Sequence, residues 1–301
     1  MLRLLLLMVS CLIFACAPRL VVGERIDPAA AGSGGTAGSA GTAGSADTAG
    51  AAGAADAGSA GAAGAAGAAG AQCPDTGLPV PGPMDPIAVP WATGFENGFC
   101  DYEQAGGFFE GEGEHRTVTS PAPRSGLFSA EFTVHTDTDQ NQARCVRQGV
   151  LPQEAYYGAW YYVTTLATVV DGSLWNLFHF KGGDVSTKGL WDISLINTES
   201  GELELIVFDF LGGVVRKQSR AVPITIPIRT WFHIQFYLKR AADATGTIRL
   251  YQDNQLLVQA TGIITDNSTW GQWYVGNIGE ALTPPDSTLY VDDVTIDTQR
   301  R

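Results

Sequence analysis

Apolar residues fall along this chain in three regimes. An almost unbroken hydrophobic run from Leu4 to Ala15 follows one basic residue, Arg3. From about Ala29 to Ala71 the chain is built almost only of Ala, Gly, Ser and Thr and shows no hydrophobic periodicity. From Trp91 onward apolar and polar residues alternate with a period of two, the mark of half-buried strands. Trp231 to Lys239 shows this most cleanly, with Phe232, Ile234, Phe236 and Leu238 on one face and Trp231, His233, Gln235, Tyr237 and Lys239 on the other. Trp175 to Lys181 places Phe178 and Phe180 on one side and Trp175, Leu177, His179 and Lys181 opposite, and Tyr156 to Val163 is an aromatic-rich strand of the same kind. Hairpins are predicted where Trp191–Ile196 and Leu203–Phe208 flank Asn197–Gly201, and where Ile248–Tyr251 and Leu256–Val258 flank Asp253-Asn254. No segment sustains a period of 3.6. The pattern predicts an all-β fold, an antiparallel two-sheet jelly-roll sandwich.

The two earlier regimes have different uses. A membrane-spanning helix needs about 20 apolar residues, and the first run stops short of that at Ile13-Phe14-Ala15-Cys16, which resembles the bacterial lipobox. Residues 1–15 are therefore read as a lipoprotein signal peptide and Cys16 as the lipidated residue. Ala17 behind it implies, through the same resemblance, an outer-membrane address in the cell envelope, with the lipid as the chain's contact to the membrane. Residues 16–72 form a flexible tether, whose Gly/Ala stretch as a coil has a root-mean-square span of about 35–40 Å. Gly-Ala-Ala triplets without proline exclude a collagen helix. Residues 73–90 are a Pro-rich, extended lead-in, and residues 91–301 the sandwich domain.

Charge and cysteines narrow the partners and the compartment. With 18 Lys+Arg against 31 Asp+Glu the net charge is −13, which argues against nucleic acid or anionic lipid surfaces as partners. Of five cysteines, Cys11 leaves with the signal and Cys16 takes lipid, so Cys73, Cys100 and Cys145 remain in an oxidising compartment. One disulfide and one free thiol follow. Cys100 with Cys145 is favoured because both lie in strand-like segments; Cys73 with Cys100 and Cys73 with Cys145 are the alternatives.

Gly94-Phe95-Glu96-Asn97-Gly98, Arg124-Ser125-Gly126, Tyr156–Tyr162, Asn176–Lys181, Ile226–Phe232 and Leu289–Ile296 together resemble the concanavalin A-like sandwiches. Within these, they resemble the jelly-roll polysaccharide lyases of the heparin lyase I and glucuronan lyase kind. Two motifs depart from the pattern. Similar lyases place Arg-x-Glu where this chain has Arg144-Cys145-Val146, and Gln-x-His where it has His179-Phe180-Lys181. The resemblance implies β-elimination on a uronic-acid polysaccharide, which needs a cation on the uronate carboxylate, a base, and an acid for the leaving oxygen. His179 or Tyr161 would be base or acid, and Arg144 and Lys181 would face the carboxylate.

A non-catalytic sugar-binding module is the alternative, with Trp175, Trp231, Tyr161 and Tyr237 stacking on pyranose rings. A hydrolase would need a pair of carboxylates on one strand face. Glu202-Leu203-Glu204 offers two but lacks a third acidic partner. The resemblance also implies a structural calcium ion joining the first strand to the last, held by Glu96 with Asp292 or Asp293 through hard oxygen ligands.

Overall fold

The computed structural model describes residues 73–301 apart from 138, 171, 184–188 and 267. The signal segment, Cys16 and the tether lie outside the described residues. Along the chain come β1 (Trp91–Thr93), a one-turn helix α1 (Cys100–Glu103), β2 (Phe108–Gly111), β3 (Glu114–Val118), β4 (Ser129–His135) and β5 (Asn141–Gly149). There follow β6 (Glu154–Val163), β7 (Thr168–Val169), β8 (Trp175–Gly182), β9 (Gly189–Asn197), β10 (Leu203–Asp209) and β11 (Val214–Arg216). The last are β12 (Phe232–Lys239), β13 (Gly246–Gln252), β14 (Gln255–Ile263), β15 (Gly271–Gly279), β16 (Leu282–Thr283) and β17 (Asp286–Asp297).

These strands make two antiparallel sheets. One has eight strands in the order β14-β13-β12-β6-β17-β4-β3, with β1 also paired to β17; the other has seven, β11-β10-β9-β8-β15-β5-β2. Strands β7 and β16 form a separate two-stranded ribbon. Hydrophobic alternation decides which face of each sheet turns inward, because a one-residue slip would move every apolar side chain into water. In β12, Phe232, Ile234, Phe236 and Leu238 are buried in the core. They meet Phe178, Phe180, Trp191 and Trp273 from the facing sheet in the same core, and Phe236 packs with both Phe180 and Trp191. Burying each such side chain contributes roughly 1.5–3 kcal/mol.

Bulges interrupt the alternation in the strands that build the second sheet's outer face. The register between β8 and β9 shifts between Asn176 and Phe178, and that between β15 and β8 shifts between Val275 and Ile278. The extra residue in β8 is Leu177, so the strand's facing inverts below it. Trp175 therefore turns into the core, where its indole N–H donates to Asn277 Oδ1 at 3.0 Å. This corrects the strict alternation that set Trp175 beside His179. A bulge is where such an inversion is expected.

The cysteine pairing is also corrected. The disulfide joins Cys73 to Cys100, and Cys145 is a free, buried thiol whose side chain belongs to the core. Cys100 lies in α1 rather than in a strand. The lead-in returns beside that helix, with Gln104 Nε2 donating to Pro74 O at 2.9 Å, and this brings the two Cα atoms to 5.3 Å, a spacing a disulfide spans without distortion. Closing a loop of 27 residues restricts the unfolded chain by about 3–4 kcal/mol in the chain-entropy description. Cys73→Ser is accordingly expected to lower unfolding stability by about 2–4 kcal/mol, read as the urea midpoint. If the midpoint does not move, the pairing adds nothing to the fold.

Candidate functional site

The outer face of the seven-stranded sheet gathers a row of charged and hydrogen-bonding side chains across five strands. Cross-strand register places Tyr274 of β15 opposite His179 of β8, and His179 opposite Asp192 of β9. On the other flank Arg144 of β5 lies opposite Glu110 of β2 and opposite Gly276 of β15. Gly276 has φ +155°, and a Cβ there would stand 2.3 Å from Ala143 O and 2.9 Å from Arg144 Cβ. The missing side chain leaves Arg144 free to lie over the Tyr274 ring, its guanidinium carbon 4.1 Å from the centroid. Arg144 also pairs with Glu110 at 3.2 Å. His179 meets Tyr274 edge-on at 5.1 Å, and Phe210 approaches its other side at 6.0 Å.

The protons in this row can be assigned. A carboxylate only accepts, so the short bond between His179 and Asp192 is His179 Nδ1–H donating to Asp192 Oδ1. That places a proton on Nδ1 and leaves Nε2 as the ring nitrogen not engaged by Asp192. The Tyr274 phenol donates to Gln272 Oε1. Burial pushes its pKa well up, and the Glu110 charge adds to this while Arg144 opposes it. Tyr274 is thus a proton donor rather than a phenolate. Three buried polar atoms bordering the row, Arg144 Nε, Asn176 Oδ1 and Gln142 Oε1, have no hydrogen-bond partner. Lys181, two residues beyond His179 in β8, faces the same side opposite Gln272 and makes no ion pair among the described residues.

The structure brings three of the sequence-predicted residues, His179, Lys181 and Arg144, onto one face, and removes the fourth. Tyr161 lies wholly inside the sandwich, where its hydroxyl donates to Leu177 O at 2.8 Å and accepts from the Gly276 N–H at 3.3 Å. Alternation was ambiguous in β6 because aromatic residues occupy both of its faces. Those two backbone partners satisfy a buried phenol that would otherwise need water. Tyr274 stands in its place on the outer face, and it was missed together with Asp192 and Glu110. The signal for Tyr274 was legible: Gln272-Trp273-Tyr274-Val275 alternates, with Trp273 and Val275 in the core.

The predicted sugar-stacking residues are dispersed. Trp175 is core. Trp231 sits at the head of β12 on the other sheet, its indole N–H donating to Ala122 O at 3.0 Å. Tyr237 is on that sheet's outer face, bonded to Glu154 and covered by the Arg249 guanidinium at 4.9 Å. Glu204 lies on the outer face of β10, and its pKa is raised by burial.

Glu96, Asp292 and Asp293 converge on the loop 124–128. Asp292 Oδ2 accepts the N–H groups of Arg124 (2.8 Å) and Ser125 (3.1 Å), and Oδ1 accepts that of Asp293 (2.7 Å). Glu96 Oε1 accepts the N–H groups of Leu127 (2.9 Å) and Phe128 (3.1 Å), and Ser125 Oγ donates to Asp293 Oδ1 (2.7 Å). Burial pushes the Asp292 carboxyl up to about 6, against the pull of the Ser125 and Asp293 N–H groups. Among the described residues no three His, Cys, Asp or Glu side chains are grouped to hold a metal. The second oxygens of Glu96 and Asp293 receive no protein donor there.

No family profile and no curated protein sequence matches this chain. Solved structures do match it in fold. The cellulose-induced protein Cip1 aligns at 14% identity and TM-score 0.51, over 70% of this chain and 98% of its own. A doubly substituted alginate lyase Aly36B in complex with an alginate trisaccharide aligns at 12% identity and TM-score 0.51, over 71% and 100%. The endo-β-1,4-glucuronan lyase of the fungus Trichoderma reesei aligns at 14% identity and TM-score 0.49, over 64% and 90%. At these identities the likeness establishes the fold, a jelly roll shared with polysaccharide lyases.

Proposed function

We propose that the outer face of the seven-stranded sheet binds a uronic-acid polysaccharide and cleaves it by β-elimination. The observation that carries this reading is the Arg144–Tyr274–His179–Asp192 row, which sets a cation, a phenol and an oriented imidazole side by side on one sheet face. Arg144 and Lys181 neutralise the uronate carboxylate, which acidifies the neighbouring C–H. His179 Nε2 takes that proton, and the electron pair forms the C=C bond as the C–O bond to the leaving sugar breaks. Tyr274 delivers its proton to the departing oxygen, and the products are an unsaturated uronate end and a free hydroxyl. Asp192 positions His179 and stabilises the imidazolium once it forms. The fold shared with a lyase seen bound to alginate supports a polyanionic substrate of this class.

The decisive assay is ultraviolet absorbance of the unsaturated product over glucuronan, alginate and heparin. His179→Ala and Tyr274→Phe are each expected to lower kcat/KM by about 10²–10⁴. Tyr274→Phe keeps the ring under Arg144, so its urea midpoint should stay within about 1 kcal/mol of wild type. A flat trace across all three polymers with binding retained would make the domain a carbohydrate-binding module instead.

A calcium ion would be held by Glu96 with Asp292 or Asp293 through hard oxygen ligands, tying the first strand to the last. Chelation is then expected to lower the melting temperature by several degrees, reversed by calcium; an unchanged Tm removes the ion. Cys16 would carry the lipid that holds the domain at the outer membrane, the support being its lipobox-like context. Cys16→Ser should shift the protein from the membrane to the soluble fraction, and continued membrane recovery would refute the anchor.

A further inference from the structure

The opposite face of the sandwich carries a second cleft that the β-elimination row does not use. On the outer side of the eight-stranded sheet, Gly158 of β6 lies in register between Gln235 of β12 and Thr295 of β17. A Cβ at Gly158 would stand 2.9 Å from Thr295 Oγ1, 3.1 Å from His233 Nε2 and 3.7 Å from Gln235 Nε2, so polar atoms from separate strands converge over a position without a side chain. Gln235 is 2% exposed, yet neither its amide nitrogen nor its amide oxygen has a partner. Two unmade hydrogen bonds of a buried amide are costly unless something fills the gap. Beside this group, reached through His233 and Thr295, is a cleft of about 630 Å³ lined by Trp160, His233, Asp253, Asp293, Thr295 and Arg301 among others. Trp160 stacks on His233 at 5.1 Å, with the Arg124 guanidinium 4.2 Å from its ring.

We infer that this cleft binds a neutral, hydroxyl-rich ligand, one or two pyranose units of a sugar chain, as a site separate from the β-elimination row. The donor set selects for hydroxyl groups, which both donate and accept. The Thr295 hydroxyl in the lining donates or accepts, the Gln235 amide behind it beside Gly158 holds an unmade donor and acceptor, and Asp253 accepts from hydroxyls at the rim. The two lining carboxylates, Asp253 and Asp293, oppose a uronate. Arg301, the cation in the lining, is already paired with Asp297 at 2.6 Å, so it does not offset those carboxylates. One face of the domain thus takes acidic sugar and the other neutral sugar.

Calorimetric titration of the full chain with cellotetraose, mannotetraose and maltotetraose tests this. At least one is expected to bind with a dissociation constant on the order of 1 mM or tighter. Gln235→Ala and Thr295→Val should each weaken that binding about fivefold, the scale of one hydrogen bond. Gln235→Ala should leave uronan cleavage intact, and His179→Ala should leave the neutral-sugar binding intact, so failure of either site is read independently. Absence of binding by all three sugars up to roughly 10 mM overturns the inference. So does binding unaffected by both cleft substitutions, or binding lost with His179→Ala, which would place the sugar on the other face.

Discussion

Asn277 lies wholly inside the sandwich on the same face of β15 as Trp273 and Val275, at the point where β15 bulges against β8, and it ties the two sheets together. Its amide nitrogen donates to Phe132 O and Ser287 O on the facing sheet, at 3.2 and 3.1 Å, while its oxygen accepts from the Trp175 indole. A buried amide satisfied on both sides locks the sheets in register, because sliding either one would strand several polar groups at once. One residue before Asn277, Gly276 stands opposite Arg144 in the unbroken ladder with β5, and its lack of a side chain leaves room for the guanidinium over Tyr274.

The parts of the structure legible in the sequence are those where period-2 alternation runs unbroken. In β12 the faces assigned from Phe232, Ile234, Phe236 and Leu238 are those observed, and the two hairpins fall at β9–β10 and β13–β14. What was misread lies at bulges or depends on long-range return of the chain. Trp175 changes face at Leu177. Cys73 reaches Cys100 because the lead-in doubles back along α1, which composition cannot disclose. Tyr161 and Tyr274 exchange places for a subtler reason: a tyrosine can be buried when backbone groups satisfy its hydroxyl, and only the three-dimensional neighbours Leu177 and Gly276 show which tyrosine has them.

Net charge and site charge point in opposite directions here. A chain at −13 repels acidic polymer at long range, but at physiological salt this field decays over about 8 Å. For the proposed uronate ligand the local field counts: Arg144 and Lys181 stand on a sheet face whose nearest carboxylates are engaged, Asp192 by His179 and Glu110 by Arg144. The global charge therefore affects encounter rate and solubility more than the complex itself.

The pairing of Arg144 with Glu110 bears on the proposed elimination as well as on binding. Left alone beside Tyr274, a guanidinium would favour the phenolate and turn the proton donor toward a base. Glu110 offsets that charge, and with burial the phenol stays protonated. On the other flank Asp192 accepts from His179 Nδ1 and so fixes the orientation of the imidazole. In the proposed elimination, two carboxylates at opposite ends of the row would hold the proton donor and the proton acceptor apart across two neighbouring rings, an asymmetry that passive binding does not require.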